Sequence, residues 1–382
     1  MKSFRRRAIP VMILVAVLSA TSSPAPSSAA TTLSGSLSGV SAVSGSNAWA
    51  VGEHLAGGAV DTRVLHWNGS GWSKVESPNP SSEGNYLNGV SAVSGSNAWA
   101  VGYYYSPSKQ GDFTLILHWN GKSWSKVNSP NPSSGYNTLE SVSATSATNA
   151  WAVGKYQGGT NPVHTLILHW NGQGWSKVPS PSPGSGDNDL EAVSALSSTN
   201  AWAVGWTSNG GASHTLILHW NGSVWSRVPS PNPSSKGNFL DGVSVLSGST
   251  AWAVGSYFGA GYVGRTLILR WNGTSWTRPT SPNPGTNAND LLGVKAIAPG
   301  NVWAVGNWCE SNCVGPDAVF HTLIVHWNGK AWSKANAPDP HPSAGNFLAG
   351  VGASAGDDVW AVGQHGFGTL ILHWNGSSWS RA

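Results

Sequence analysis

Carboxylates recur at one position in three successive segments of the chain: Glu140, Glu191 and Asp241 each follow a leucine that opens a short apolar stretch. Neighbouring carboxylates can bind a hard cation such as calcium, accept hydrogen bonds from sugar hydroxyls, or divide general acid and base work by pushing each other's pKa apart. The simpler interpretation is that each is separately solvated or hydrogen bonded to a backbone turn. Which chemistry is open to them depends on the elements that carry them.

A repeated unit carries these segments. The string Trp-Ala-Val-Gly occurs seven times, 50 to 57 residues apart, and Trp-Asn-Gly-x-x-Trp follows each copy. Periods of this length indicate propellers, solenoids or related arrays. The first string begins at Trp49, Trp99, Trp151, Trp202, Trp252, Trp303 and Trp360, and the second at Trp67, Trp119, Trp170, Trp220, Trp271, Trp327 and Trp374.

Each copy contains four short strand signals, which we call strands A to D. In the second copy they cover residues 89–93, 98–101, 114–119 and 124–127. Asn-Gly between C and D predicts a tight hairpin, because these residues accept positive φ. Strand C is almost continuously apolar, as expected for a strand buried on both faces. Helical periodicity is absent from the sequence.

Seven four-stranded antiparallel units with two apolar faces bury those faces best by closing into a ring, which also protects the sheet edges. The sequence therefore predicts an all-β fold, a seven-bladed β-propeller, as a single domain over residues 31–382. An open solenoid is the alternative, but no divergent capping repeat is seen. The last copy ends in its own strand D at residues 379–382, so ring closure is expected to rely on packing between blades and not on a shared blade.

Over residues 31–382 the chain resembles bacterial secreted seven-bladed propellers of the Asp-box, kelch and lectin-propeller kind. The resemblance implies the fold more than the function. The chain departs from each family pattern. An Asp-box turn would have an acidic residue two before the glycine, where this chain has Trp67 and its equivalents, and a kelch blade would have a glycine doublet where this chain has Val51-Gly52.

The N-terminal thirty residues predict a secretory signal peptide: a basic start, an apolar run from Ile9 to Leu18, and a small-residue stretch ending at Ala30. The apolar run is too short for a permanent membrane span. Its removal takes away four basic residues and leaves 16 Lys and Arg against 16 Asp and Glu. A near-neutral mature chain gives no support to nucleic acid or an anionic membrane as a partner. The sequence predicts a secreted protein, expected to be monomeric.

Two cysteines, Cys309 and Cys313, are present. In an oxidising compartment this pair predicts a disulfide that closes a small loop. A metal site is the weaker interpretation, because two thiolates do not complete a tetrahedral set and no second cysteine pair exists.

Residues present in every blade are expected to serve the repeat. The histidine before the second tryptophan recurs in six blades, with Arg270 replacing it in the fifth, and is predicted to hydrogen bond within or between blades; the repeated tryptophans are predicted to pack in the core. The remaining aromatics and histidines fall at the B-to-C loops and D-to-A linkers, which open on one face of a propeller. One explanation of this enrichment is that the aromatic side chains cover long loops against water. The other is that they form a surface that recognises a ligand.

From this face we select a candidate ligand site. The carboxylates of blades three to five lie near the predicted channel mouth, and the same blades carry a histidine, a histidine and an arginine at the start of strand C. Aromatics in or at the edges of the B-to-C loops complete the set. The predicted ligand-binding residues are Tyr104, Trp206, Tyr257, His164, His214, Arg265, Glu140, Glu191 and Asp241.

The sequence favours a non-enzymatic carbohydrate-binding propeller, because sugar rings stack on aromatic side chains while their hydroxyls pair with carboxylates and amides. The alternatives are an extracellular glycan-cleaving hydrolase or lyase that uses the acidic arc, and a protein-interaction scaffold. No His-Glu-x-x-His, phosphate-loop or EF-hand motif is present in the sequence. No cofactor is predicted apart from a candidate calcium ion at the arc.

Overall fold

The computed structural model describes residues 34–160, 162–310, 313, 318–341 and 345–382. These residues form 28 strands in seven groups of four, with a single 3-10 turn at Ala260–Tyr262. The predicted seven-bladed all-β architecture is confirmed. The predicted signal peptide, residues 1–30, lies outside the described residues.

Strands A and B of each blade are long and carry the two faces that pack on neighbouring blades. Strand A is β1 Ser36–Ser44, β5 Asn85–Ser94, β9 Tyr136–Ser146, β13 Asn188–Ser197, β17 Asn238–Ser247, β21 Ala288–Ala298 and β25 Asn346–Ala355. Strand B is β2 Asn47–Ala56, β6 Asn97–Ser106, β10 Asn149–Gln157, β14 Asn200–Asn209, β18 Thr250–Phe258, β22 Asn301–Cys309 and β26 Asp358–His365.

Strand C is apolar and buried, whereas strand D is short and lies at the outer edge of the sheet. Strand C is β3 Ala59–Trp67, β7 Gly111–Trp119, β11 His164–Trp170, β15 Ala212–Trp220, β19 Gly264–Trp271, β23 His321–Trp327 and β27 Gly368–Trp374. Strand D is β4 Trp72–Lys74, β8 Trp124–Val127, β12 Trp175–Lys177, β16 Trp225–Arg227, β20 Trp276–Thr277, β24 Trp332–Lys334 and β28 Trp379–Arg381.

Within each blade the strands pair antiparallel in the order A-B-C-D. A single parallel pair, Asp112 with Tyr136, joins blades two and three into one sheet. Strand A of each blade contacts strand A of the next, and β25 contacts β1, so the A strands form the inner ring. Blades one and seven each use four consecutive strands, which confirms closure by packing without a shared blade.

The interfaces between blades are built from the repeated tryptophans. Trp49 of blade one stacks on His66 of its own blade at 4.4 Å, and contacts Trp119 and Trp124 of blade two at 4.8 and 5.2 Å. Trp360 makes the same contacts across the closure, at 4.9 Å to Trp67. The predicted packing role of these tryptophans is confirmed.

Five of the six repeated histidines hydrogen bond to the first residue of strand B in their own blade, and His118 of blade two does not. His66 Nε2 and Asn47 Oδ1 are 3.1 Å apart, and the same pairing joins His169 to Asn149 at 2.8 Å. Burial lowers the pKa of these histidines, so the neutral ring is favoured. Arg270 replaces the histidine in blade five and lies over the ring of Trp252 at 5.4 Å. The structural role predicted for this position is confirmed.

The B-to-C connections differ from the prediction. Strands B and C extend past the repeated motif as hairpins, and the turn between Ala56 and Ala59 is only two glycines long. Tyr104, Trp206 and Tyr257 therefore lie on strand ends and not in long loops. The physical reason is that aromatic and threonine-rich flanks favour extended backbone and continue the ladder.

Cys309 and Cys313 form a disulfide with Cα atoms 6.0 Å apart, as predicted. Among the described residues, no helix has the length and apolar character needed to cross a bilayer.

Candidate functional site

A β-bulge in every A strand creates the position that carries the predicted carboxylates. The register of strands A and B shifts by one residue directly after the first leucine, as between Leu190 and Ala192. The extra residue leaves the ladder, and bulges of this kind re-aim side chains and are common next to functional sites. Around the ring these bulge residues are Ser38, Asn88, Glu140, Glu191, Asp241, Leu292 and Ala349.

The same bulge explains why each Trp-Ala-Val-Gly string ends in glycine. Gly205 faces the strand A backbone at the bulge, and a Cβ there would lie 2.0 Å from the carbonyl oxygen of Asp189. The equivalent distance is between 1.9 and 2.1 Å in all seven blades. The glycine is required because the inner strand approaches strand B too closely for any side chain.

Lys155 occupies the centre of the carboxylate cluster. Its ammonium lies 2.5 Å from Asp189 Oδ2 and 3.5 Å from Glu140 Oε1, and all three side chains are largely buried. Lys155 stands on strand B of blade three, whereas Asp189 belongs to strand A of blade four. An ion pair thus bridges two blades where the sequence suggested a group of carboxylates alone.

Asn88 and Thr138 complete the shell of Glu140. Asn88 Nδ2 donates to Glu140 Oε2 at 2.9 Å and to the carbonyl of Leu139 at 2.9 Å, which links blade two to blade three. Thr138 Oγ1 donates to the other carboxylate oxygen at 2.9 Å. Both oxygens of Glu140 are therefore engaged by protein donors.

The pKa of Glu191 is strongly affected by burial. Burial, and then the negative charge of Asp189, raise the pKa of Glu191 well above 4.5. Burial would lower the pKa of Lys155, but Asp189, Glu140 and Glu191 outweigh that effect and hold it well above its ordinary value. Burial also raises the pKa of Asp189, and Lys155 opposes that effect. The site thus combines an ammonium with two buried carboxyl groups, Asp189 and Glu191, whose pKa values are raised.

The predicted residues do not all meet. Glu140 and Glu191 share the cluster, and the charge of Asp241 contributes to the raised pKa of Glu191. His164 and His214 lie further from the axis on strand C, opposite Tyr156 and Thr207.

Arg265 and the predicted aromatics are distributed over separate interfaces. Arg265 is opposite Tyr257, which packs against the core between blades four and five. Trp206 is half-buried and makes an edge contact of 5.8 Å with Phe239. Tyr104 packs on the core between blades one and two, and Lys126 lies over its ring at 4.4 Å. Ligand contact by these residues stays a prediction, and for Tyr104 its packing between the core and Lys126 argues against such contact.

A shallow depression lies beside this cluster on blade two. It has a volume of about 430 Å³ and is lined by Glu83, Gly84, Tyr86, Tyr103, Tyr105 and Asp112. Tyr86 and Tyr103 stack with ring centroids 4.7 Å apart. Burial, and then the charge of Glu140, raise the pKa of Tyr103, so its phenol stays protonated. The influence of Glu140 on Tyr103 also indicates that the depression lies next to the carboxylate cluster.

The predicted site residues did not include Lys155, Asp189 or the tyrosine pair. A comparison of the residue four after the first tryptophan would have found Lys155 and Tyr103, because the side chains at this position differ from blade to blade. It holds Glu53, Tyr103, Lys155, Trp206, Ser256, Asn307 and Gln364. Lys155 is the one cation in the set.

No group of three histidine, cysteine or acidic residues within the described ranges is arranged to hold a metal ion. The carboxylates that would be its ligands surround the Lys155 ammonium instead. Calcium binding stays an untested prediction.

The fold and inner site define a seven-bladed β-propeller. No family model and no curated protein matches the chain. Among solved structures it is similar to YCF48 bound to D1 peptide, with 15% identity, a TM-score of 0.54, and coverage of 90% of this chain and 95% of that one. It is also similar to a polysaccharide lyase of family PL25, an ulvan lyase bound to -[GlcA(1-4)Rha3S]-, with 10% identity, a TM-score of 0.56, and coverage of 92% and 96%. At these identities the comparisons show the fold alone.

Proposed function

We propose that this chain is an exported, non-enzymatic propeller that binds carbohydrate in the tyrosine-lined depression of blade two. The observation that carries the proposal is the stacked pair Tyr86 and Tyr103 beside the carboxylates of Glu83 and Asp112. Sugar rings offer apolar faces for the tyrosine rings and hydroxyls for the carboxylates. Because the depression is open and shallow, it suits the binding of one sugar unit within a longer polymer.

The charges in the depression narrow the glycan class. Its lining contains two acidic residues and no lysine or arginine. Uronates and sulfated sugars would place like charges together, which costs affinity, whereas neutral or amino sugars would not. The lyase neighbour is bound to an acidic polymer, so this chain is expected to differ from it in ligand.

Export of the protein is part of the proposal. It is supported by the Cys309–Cys313 disulfide, which suits an oxidising compartment, and by the N-terminal sequence pattern. Similar folds that bind a peptide or a polysaccharide agree with ligand binding in general. A monomer remains the expected state.

A glycan panel tests the proposal. Mature wild-type protein is expected to bind neutral or amino-sugar polymers and to ignore uronates. Asp112→Asn, which removes a charge from the lining, is expected to weaken the discrimination against uronates. If the protein binds no glycan in the panel but binds peptides, carbohydrate binding is rejected and a protein-interaction scaffold is favoured.

Glycan cleavage is the second candidate, because the cluster holds two buried carboxyl groups, Glu191 and Asp189, whose raised pKa values suit general acid catalysis. It ranks second because both oxygens of Glu140 accept protein hydrogen bonds and Lys155 neutralises the centre. Turnover that disappears in Glu191→Gln while glycan binding persists would establish this second function. Binding without turnover in the wild-type protein rejects it.

A further inference from the structure

Lys155 and Asp189 meet across the interface between blades three and four. The nitrogen of Lys155 lies 2.5 Å from Asp189 Oδ2, and the two side chains are 16% and 5% exposed. A carboxyl carbon–oxygen bond is about 1.2 Å long, so this nitrogen lies within about 4 Å of the carboxyl carbon of Asp189. That separation is close to the one from which two correctly oriented groups react.

Asp189 is better placed to accept a proton than Glu140, the other carboxylate beside Lys155. Both oxygens of Glu140 accept hydrogen bonds, from Asn88 and Thr138, which stabilise its ionised form. Asp189 Oδ1 is buried and accepts no hydrogen bond from a donor in the described part of the chain. Burial also raises the pKa of Asp189. Asp189 is therefore the easier of the two carboxylates to convert into an uncharged acid.

Glu191 adds a third group that can move protons. It follows Asp189 by two residues on strand β13, and its side chain is within hydrogen-bonding reach of the Asp189 carboxyl group. Burial, and then the charge of Asp189, raise its pKa. A carboxyl group that holds a proton near neutral pH and can take it back is suited to general acid and base work.

We propose that the side chains of Lys155 and Asp189 form an isopeptide bond, an amide that joins blade three covalently to blade four. The ion pair described above is the state before the reaction. A proton passes from Lys155 Nζ to Asp189 Oδ2 along their short contact, which gives an uncharged amine and an uncharged acid, a pair that burial makes accessible. The nitrogen lone pair then attacks the carboxyl carbon of Asp189.

Glu191 completes the reaction by moving one proton. It protonates the departing hydroxyl group of Asp189, which leaves as water, and recovers a proton from the Lys155 nitrogen. One carbon–nitrogen bond forms and one carbon–oxygen bond breaks, with no oxidation or reduction. The product replaces two buried charges, whose desolvation is costly, with an uncharged amide. The reaction needs no glycan and does not depend on the proposed function.

The intact mass of the mature protein tests the proposal. After reduction of the Cys309–Cys313 disulfide, the wild-type chain is expected to weigh one water molecule less than the sequence that begins at its measured N-terminus. Lys155→Arg is the matched control, because arginine keeps the positive charge beside Asp189 but stays protonated and cannot attack. This variant is expected to have its full sequence mass. Glu191→Gln removes the proton carrier and is expected to keep the water in most chains.

Peptide mapping of the wild-type protein locates the bond, and it needs no variant to fold. Digestion is expected to give one branched peptide in which Lys155 is joined to Asp189. A wild-type chain at its full sequence mass overturns the proposal, and so does a bond from Lys155 to Glu140. An aspartate before glycine, as in Asp241-Gly242, can also lose water by closing on its own backbone. An equal loss of water in Lys155→Arg would assign the change to such a site and contradict the proposal.

Discussion

At the scale of single residues, Lys155 decides what the carboxylates can do. The positions of Glu140 and Glu191 could be predicted from the sequence, because the repeat aligns them. Their partner could not, since Lys155 reaches Asp189 across an interface whose register no local pattern specifies. The carboxylates predicted as a candidate calcium site lie beside the Lys155 ammonium, and calcium binding there stays a prediction.

Glutamine variants of the two glutamates are expected to differ in stability. Burial raises the pKa of Glu191, so the neutral Glu191→Gln avoids the cost of a buried carboxylate and is expected not to lower the free energy of unfolding near neutral pH. Glu140→Gln removes an ionised partner of Lys155 and is expected to cost about 1–3 kcal/mol. Chemical denaturation of both variants in one buffer measures the difference. Equal losses would show that Glu191 is ionised.

The raised pKa of Glu191 also predicts a pH dependence. Its folded pKa lies above its ordinary value of 4.5, so its contribution to stability is complete below pH 4.5 and is lost as the pH rises through the folded pKa. The free energy of unfolding of Glu191→Gln, measured across this range, is expected to lack that decline. A decline of the same size in the wild type and the variant would assign it to other groups.

At the scale of elements, the sequence predicted the four strands of each blade but shortened strands A and B. The predicted strands were too short because the bulge and the hairpin extensions carry no repeated motif. Their extended backbone is stabilised by pairing with neighbouring strands, which the sequence pattern does not show. The bulge in turn explains why glycine ends each Trp-Ala-Val-Gly string.

Alanine at one of these glycines is expected to be costly. In Gly255→Ala the new Cβ would lie 2.1 Å from the carbonyl oxygen of Phe239, so the strands must separate at a loss of about 1–3 kcal/mol. Gly248→Ala, in the A-to-B turn of the same blade, meets nothing within 4 Å and is the control. Thermal unfolding compares them, and equal melting temperatures would refute the steric account of the motif.

At the scale of the whole molecule, closure of the ring resembles every other interface. The seven-fold repeat was sufficient to predict the architecture, because seven identical apolar faces have few other ways to be buried. The repeat could not predict where the ring would be asymmetric: the ion pair between blades three and four depends on residues that occur once.

Matched tryptophan variants test the closure. Trp360, which packs on blade one, and Trp202, which packs on blade five, are each about 1% exposed. Trp360→Ala and Trp202→Ala are therefore each expected to cost about 3–5 kcal/mol, with similar values. A much smaller loss for Trp360→Ala in denaturant unfolding would indicate that the ring is open at that interface.

The most direct test of carbohydrate binding compares two adjacent tyrosines on strand B of blade two. Tyr105 lines the depression, whereas Tyr104 packs on the opposite side against the core and beneath Lys126. Calorimetric titration of the best glycan is expected to show about a ten-fold rise in Kd for Tyr105→Ala, the loss of one stacking contact. For Tyr104→Ala we expect lower stability with nearly unchanged Kd. Loss of binding in Tyr104→Ala, with Tyr105→Ala unaffected, would contradict the site.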